Sequence, residues 1–200
     1  MAITTDMIRE LRERTGAGIL EVKKSLEETG GDTEAAIRLL RERGLAKAAK
    51  KAEREASQGR VYSYIHSDPG RIGVLLELNC ETDFVARTDA FRDLAHGLAL
   101  HIAAANPLYL GDDQVPAEDL QREREVYAAQ MADQKKPAEI MAKIIDGKVQ
   151  KWLDEAVLLR QPYIRDNDVS VGDLIKRAIA ELGENIVIRR YTRYALGERE

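Results

Sequence analysis

Cysteine is nearly absent from this chain of 200 residues, which contains Cys80 alone. A single cysteine excludes a disulfide within the chain and a metal site built from several cysteines. Aromatic residues are also scarce, at 5% of the sequence, with two Phe and one Trp. The core must therefore rest on Leu, Ile, Val and Ala, a composition that suits helices.

The chain also lacks an excess of positive charge, since its formal net charge is -4. A general nucleic-acid-binding protein would normally be strongly basic, so we expect no direct contact with nucleic acid. The sequence has no run of about eighteen apolar residues, and its N-terminus lacks the apolar block of a signal peptide. We therefore expect a cytoplasmic protein that does not contact a membrane.

Signals for catalysis or metal binding are weak. The histidines are His66, His96 and His101, and the spacing of the last two places them on different sides of one helix. Residues 15–18 (TGAG) lack the Lys-Ser/Thr pair of a phosphate-binding loop. Cys80 has no base nearby in sequence and is expected to be a small buried side chain. The sequence therefore predicts no catalytic residue, no metal and no cofactor.

The first 44 residues have the pattern of three short helices. Glycines within residues 15–18 end the first helix, and Gly30 and Gly31 end the second. Asp32 caps the third helix, which is predicted to close at Gly44. We expect these helices to form a small bundle.

Leu20 is out of phase with the apolar face of the second helix. Ile19, Val22 and Leu26 have helical spacing and are predicted to face the bundle, whereas Leu20 lies about 100° away. A single exposed leucine is common and is the simpler interpretation. The alternative is that Leu20 and residues 16–18 form a contact patch.

Residues 45–58 are predicted to form a helical linker. Residues 45–56 (LAKAAKKAEREA) are rich in Ala and charged side chains, which form helices readily but offer little apolar surface. Their lysines are interleaved with Glu53 and Glu55. This pattern favours a solvated helix over a nucleic-acid-binding segment.

Residues 59–200 are predicted to form an α+β core domain. Residues 61–66 alternate like a strand, residues 68–70 (DPG) form a turn, and residues 71–79 form a second strand. A third strand is predicted over residues 186–196. Four helices are predicted between the second and third strands, over residues 88–106, 117–132, 137–159 and 171–182. The fold class is therefore α+β, with a three-stranded antiparallel sheet covered by helices.

The connection after the second strand, residues 80–87, is unusual because it contains Phe84 and Val85 beside acidic residues. One interpretation places Phe84 in the core and makes Asp83 the cap of a helical turn. The other makes Phe84 an exposed anchor and Asp83 a placed charge, since loops on rigid scaffolds often carry binding residues. The pattern alone favours the first.

Several segments together resemble the elongation factor Ts family. Residues 11–18 (LRERTGAG), residues 23–24 (KK) and residues 31–32 (GD) are similar to its ubiquitin-associated-like N-terminal domain. Residues 78–86 (LNCETDFVA) are similar to its second signature, and residues 183–186 (GENI) match near the end of the chain. The resemblance covers essentially the whole chain.

The resemblance implies a guanine-nucleotide exchange factor that binds the GTPase elongation factor Tu and promotes GDP release during translation elongation. It implies a ubiquitin-associated-like bundle over residues 1–44, joined by the linker to the core. In the family the bundle grips a helix of the GTPase. The matching positions here are Arg12, Ile19 and Leu20.

The resemblance also assigns the connection after the second strand to the family's intrusion element. Its matching residues are Thr82, Asp83, Phe84 and Val85, which would enter the GTPase and disturb its magnesium site. A core hairpin, near His66 in this chain, would bind a more distant domain of the same partner.

The chain carries one core module, whereas the longest members of the family carry two in tandem. The resemblance therefore implies a short form in which two chains pair as a homodimer. Two other classes remain open from the sequence. The bundle could be an adaptor that binds ubiquitin-like proteins, or the chain could be a small enzyme that uses Glu81, Asp83 and His66.

Overall fold

The structure is a computed structural model that describes residues 3–132 and 137–198. Its helices are α1 (Thr5–Thr15), α2 (Ile19–Glu28), α3 (Thr33–Lys51), α4 (Asp83–Ala86), α5 (Asp89–Ala105), α6 (Ala117–Gln130), α7 (Ala138–Ala156) and α8 (Val171–Leu182). Its strands are β1 (Gln58–His66), β2 (Ile72–Cys80), β3 (Pro162–Tyr163), β4 (Asp166–Ser170) and β5 (Val187–Ala195). Strands β1, β2 and β5 form an antiparallel sheet, so the predicted α+β class is confirmed.

Helices α1 to α3 form the predicted bundle at the N-terminus. Gly16 ends α1 in a left-handed conformation (φ 66°), which a glycine adopts without strain. The Asp32 carboxylate caps α3 by accepting a hydrogen bond from the backbone N–H of Ala35. The buried side chains of the bundle are Leu11, Val22, Leu26, Ala36 and Leu40.

Helix α3 does not end at Gly44, so that predicted boundary was wrong. The helix continues to Lys51 and packs along α8. A Cβ atom on Gly44 would lie 3.4 Å from the Cβ of Ala180, so this is a place where α3 and α8 approach closely. Strong helix formers on both sides, together with this packing, offset the cost of one helical glycine, about 1 kcal/mol.

The continuation of α3 joins the bundle to the core instead of spanning solvent. Ala48 is buried in the same cluster as the sheet residues. Arg41 on α3 also contacts the Asp173 carboxylate on α8, at 3.3 Å between Nη2 and Oδ2. The linker segment therefore has an apolar side that its composition did not suggest.

One face of the three-stranded sheet packs against α5, and the buried side chains of α8 belong to the same core. Residues at alternate positions of β2 point inward, and Val74, Leu76 and Leu78 are all buried. Phe91 and Leu98 of α5 cover them without any exposure to solvent. This layer is the main hydrophobic core.

The opposite face of the sheet is open. We call this surface the outer sheet face and define it by Val61, Ile65, Leu75 and Tyr194, each more than half exposed. The strand register places Ile65, Gly73 and Tyr194 side by side across the three strands. Along each strand, residues of the outer sheet face alternate with residues that point toward the core. The sheet therefore presents apolar side chains on both sides.

Helices α6 and α7 lie close to the two helices predicted over residues 117–132 and 137–159. They pair around a second small core, which the sequence did not predict and which includes Val149, Leu153 and Val157. The β3–β4 hairpin was missed because β3 has only two residues and the five residues of β4 (DNDVS) contain a single apolar side chain, so neither shows a readable alternation. Among the described helices, none combines the length and apolar character needed to cross a bilayer.

Candidate functional site

The connection between β2 and α5 contains a single helical turn, α4, that holds Phe84 out in solvent. The Phe84 side chain is 80% exposed. The interpretation that placed it in the core was therefore wrong, and the alternative of an exposed side chain is confirmed. An exposed phenylalanine on a turn that leads out of a buried strand is a candidate binding anchor.

The cap of α4 is Thr82, not Asp83. The Thr82 hydroxyl accepts a hydrogen bond from the backbone N–H of Val85, at 3.4 Å between O and N. Asp83 instead pairs with Arg87 one turn later, at 2.9 Å, and both side chains are at least half exposed. The carboxylate of Asp83 therefore lies at the surface next to Phe84, in an exposed ion pair with Arg87.

The two faces of α4 explain why Phe84 points outward. Ala86 is buried and Val85 packs partly buried against the main core. Because consecutive residues of a helix are about 100° apart, fixing Val85 and Ala86 inward directs Phe84 to solvent. Val85 thus serves to attach the turn, while Phe84 is presented by it.

Glu184 anchors the start of this turn from the other end of the chain. One carboxylate oxygen, Oε2, accepts from the backbone N–H groups of Glu81 at 3.1 Å and Thr82 at 3.0 Å. The other, Oε1, accepts from the Thr82 hydroxyl at 2.6 Å. In return, the Glu81 carboxylate accepts from the backbone N–H of Asn185 at 2.7 Å. The resemblance at residues 183–186 was the signal that could have pointed to this anchor.

Cys80 lies at the end of β2, next to the turn, and is fully buried as predicted. Burial raises the pKa of its thiol, and the negative charge of Glu184 raises the pKa further. The thiol group also donates to the carbonyl oxygen of Thr82 at 3.1 Å. A buried, protonated thiol is a structural side chain and a poor nucleophile.

The bundle presents a second exposed apolar patch. Leu20 is 82% exposed and its neighbour Ile19 is 54% exposed. The prediction that Ile19 faces the bundle was therefore wrong, because Ile19 is the first residue of α2 and lies beyond the layer formed by Val22 and Leu26. Arg12, near the end of α1, is also exposed.

His66 lies far from the Phe84 turn. His66 is the last residue of β1 and pairs with Ile72, the first residue of β2. The Phe84 turn follows Cys80, which pairs with Gln58 at the opposite end of the same two strands. Eight residue steps along a strand separate these ends by roughly 26 Å, at about 3.3 Å per residue. The His66 ring hydrogen-bonds to the Tyr64 hydroxyl at 2.8 Å.

The distribution of these residues weighs against the enzyme interpretation. Glu81 is tied to Asn185 and Asp83 to Arg87, and neither is near His66. General acid–base or nucleophilic chemistry needs groups within hydrogen-bond reach of one another. Within residues 3–132 and 137–198, no group of three or more His, Cys, Asp or Glu side chains is placed to hold a metal ion.

The fold is thus a helical bundle joined by a continuous helix to an α+β core, with apolar side chains held out from both parts. A family model described as elongation factor TS matches residues 8–198. An elongation factor Ts from Herpetosiphon aurantiacus is 52% identical over 198 residues, covering 98% of this chain and 99% of the relative. The chain belongs to the elongation factor Ts family, a family of translation elongation factors.

Other relatives match the chain over nine tenths or more of their length. An elongation factor Ts from Fervidobacterium nodosum is 50% identical and is covered over 100% of its length, with 99% of this chain. One from Syntrophomonas wolfei is 54% identical, with 98% of this chain and 91% of the relative covered. The predicted family resemblance is confirmed.

Proposed function

We propose that this chain is a guanine-nucleotide exchange factor that binds elongation factor Tu in the cytoplasm and promotes GDP release during translation elongation. It carries out no bond-making or bond-breaking chemistry. Family membership supports this function, and the observation that carries the mechanism is the exposed Phe84 on an anchored turn. The adaptor alternative leaves that turn without a role.

Exchange of this kind is a coupling free energy between two ligands of one GTPase. The nucleotide in such a GTPase is held largely by its phosphates and by magnesium, the largest local charge in the site. Consider a protein that binds best to the empty, magnesium-free conformation of the GTPase. The factor by which this protein weakens nucleotide binding must equal the factor by which the nucleotide weakens binding of the protein.

The Phe84 turn is the element that directs this coupling to the magnesium site. Burying the Phe84 side chain in a partner pocket supplies about 2 kcal/mol. That energy is too small for a large effect, so contacts of the bundle at Leu20 and Arg12 and contacts of the core near His66 must add to it. Asp83, exposed beside Phe84, places a negative charge where it perturbs the partner's magnesium and its bound water.

Adding the purified protein should accelerate the release of fluorescent GDP from elongation factor Tu. The protein alone should hydrolyse no GTP, because the sequence has no phosphate-binding loop. Stopped-flow displacement of labelled GDP measures the first expectation, and phosphate release measures the second. Unchanged displacement kinetics at excess protein would refute the proposed function.

Leu20→Ala and Arg12→Ala should each weaken docking by about 1–2 kcal/mol, the cost typical of interface anchors. Leu20 is exposed in the free protein, so its truncation should leave folding almost unchanged. The matched control is Leu108→Ala, since Leu108 is also an exposed leucine but lies on the core. Titration of the release rate should show recovery at high concentration for both bundle variants. A rate that stays low at saturation would contradict a docking role.

We further propose that the protein is a homodimer joined through the outer sheet face. Val61, Ile65, Leu75 and Tyr194 are apolar side chains that the outer sheet face leaves exposed beside polar neighbours such as the Glu77–Arg190 ion pair, and exposed apolar groups with a polar rim are typical of interfaces. Two sheets stack face to face about 10 Å apart, and a two-fold axis lets the same surface serve both copies.

Leu75→Asp should convert the dimer into a monomer, because the two-fold arrangement brings both carboxylates into one apolar contact. Light scattering should report 22.4 kDa for the variant and about twice this mass for the unaltered chain. The matched control is Val126→Asp, which adds the same charge at a partly exposed valine of α6. Reducing agent should not matter, since Cys80 is buried. A variant that remains dimeric would exclude this interface.

A further inference from the structure

The dipeptide Glu184-Asn185 binds the Phe84 turn and the end of α3 at the same time. Glu184 accepts three hydrogen bonds from Glu81 and Thr82, as described above. The Asn185 side chain, almost fully buried, donates to the carbonyl oxygen of Ala52 at 3.2 Å and of Arg54 at 2.7 Å. These two carbonyls belong to the segment that leaves α3.

A third contact completes this junction. The Lys51 ammonium group, on the last residue of α3, donates to the backbone carbonyl of Gly183. Arg54 also approaches the Glu81 carboxylate, at 3.6 Å between Nη1 and Oε2. Three consecutive residues between α8 and β5 therefore connect the helix that carries the bundle to the turn that carries Phe84.

We propose that Glu184 is a positioning residue for partner binding, which holds the Phe84 turn in one fixed arrangement beside the segment that leaves α3. This inference rests on the proposed function, since positioning matters only if the turn contacts the partner. Glu184 does not need to touch the partner. It acts through the backbone and the Thr82 hydroxyl of the turn that does.

The chemistry of Glu184 is specific to a carboxylate. Its oxygens only accept hydrogen bonds, so the Thr82 hydroxyl must donate its proton toward Oε1. That orientation leaves a lone pair of the hydroxyl oxygen free to accept from the Val85 N–H and cap α4. Glu184 thus fixes the hydroxyl proton and, through it, the turn that presents Phe84.

The energetic consequence is a population effect. A turn without its anchor would occupy the binding-competent conformation for only part of the time. Because a displaced turn would obstruct the docking of the bundle and core on the same partner, the apparent affinity falls by that fraction. The maximal rate at saturation should not change, because the bound turn is the same. Loss of Phe84 itself should instead lower the maximal rate.

The test compares Glu184→Ala and Glu184→Gln, with Glu118→Gln on the exposed first turn of α6 as the matched control. If Glu184→Ala leaves the turn competent about one tenth of the time, the half-saturating concentration for GDP release rises about tenfold at unchanged maximal rate. Glu184→Gln keeps one accepting oxygen for the two backbone N–H groups and should show a smaller rise. Hydrogen–deuterium exchange at the Val85 and Ala86 amides should accelerate in the same order.

The amide measurement judges the anchor without reference to any partner. Unchanged protection of Val85 and Ala86 in Glu184→Ala, or a half-saturating concentration within about twofold of the unaltered protein, would overturn the inference. If the unaltered protein does not accelerate GDP release, the proposed function fails instead, whatever the amides show. A lowered maximal rate for Glu184→Ala would also overturn the positioning role.

A second pair of variants covers the case in which Glu184→Ala does not fold. Thr82→Val removes the hydroxyl that links Glu184 to the cap, while the backbone N–H groups that bind Oε2 remain. It should expose the Val85 amide to exchange and raise the half-saturating concentration. Thr82→Ser restores the hydroxyl and should restore both. Equal behaviour of the two variants would overturn the inference.

Discussion

Replacing Phe84 with alanine is expected to slow GDP release from elongation factor Tu by about 30-fold, the rate equivalent of about 2 kcal/mol of lost aromatic burial. The melting temperature should change little. Phe84 is 80% exposed in the free protein, so its removal leaves no cavity. The defect should persist at saturating protein, because the bundle and core contacts that dock the partner remain.

Chelation of magnesium gives this prediction a second readout. If the turn acts by disturbing the partner's magnesium site, removing the ion should shrink the defect of Phe84→Ala. Asp83→Ala should behave in the same way, since a surface carboxylate contributes little to folding. Melting curves and release kinetics on the same preparations measure both effects. A defect that is indifferent to chelation would exclude the magnesium-directed role.

Replacing Phe91 with alanine should have the opposite signature. Phe91 has no exposed surface and packs between α5 and the sheet with Leu76 and Leu98. Large-to-small substitution at such a site lowers the free energy of unfolding by about 3–5 kcal/mol. The melting temperature should fall by about 6–20 °C for a chain of this size.

The two phenylalanines of the chain therefore serve as controls for each other. The urea concentration at the midpoint of unfolding should be much lower for Phe91→Ala than for Phe84→Ala. At low temperature, the folded fraction of Phe91→Ala should still promote nucleotide exchange. A loss of less than about 1 kcal/mol for Phe91→Ala would mean that the site collapses around the missing ring.

Much of the fold was predictable because it depends on local pattern. Alternation in residues 61–66 and the apolar spacing around Leu98 locate a strand and a helix without any distant information. Gly44 failed as a helix end because the packing of α3 on α8 is a tertiary contact, which outweighs the propensity of one residue. The prediction that Ile19 faces the bundle was wrong because helical spacing gives the direction of a side chain but not where along the helix the bundle core ends.

The candidate site was only half predictable. The oddity of Phe84 in a polar connection was visible, but its direction depends on which side of a four-residue turn meets the core. The anchor at Glu184 was not predictable from spacing, since its hydrogen bonds to Thr82 join residues 102 positions apart. No local rule connects such residues, and only the fold places them together.

The uninterrupted course of α3 makes the number of residues between the bundle and the core a part of partner recognition. Its 19 residues span about 28 Å at about 1.5 Å each, and each residue also turns the chain by about 100°. One residue inserted into this helix would advance the bundle by only about 1.5 Å but would rotate Leu20 by about 100° about the helix axis. The angular phase of the helix, more than its length, thus determines whether Leu20 and Phe84 can meet the same surface.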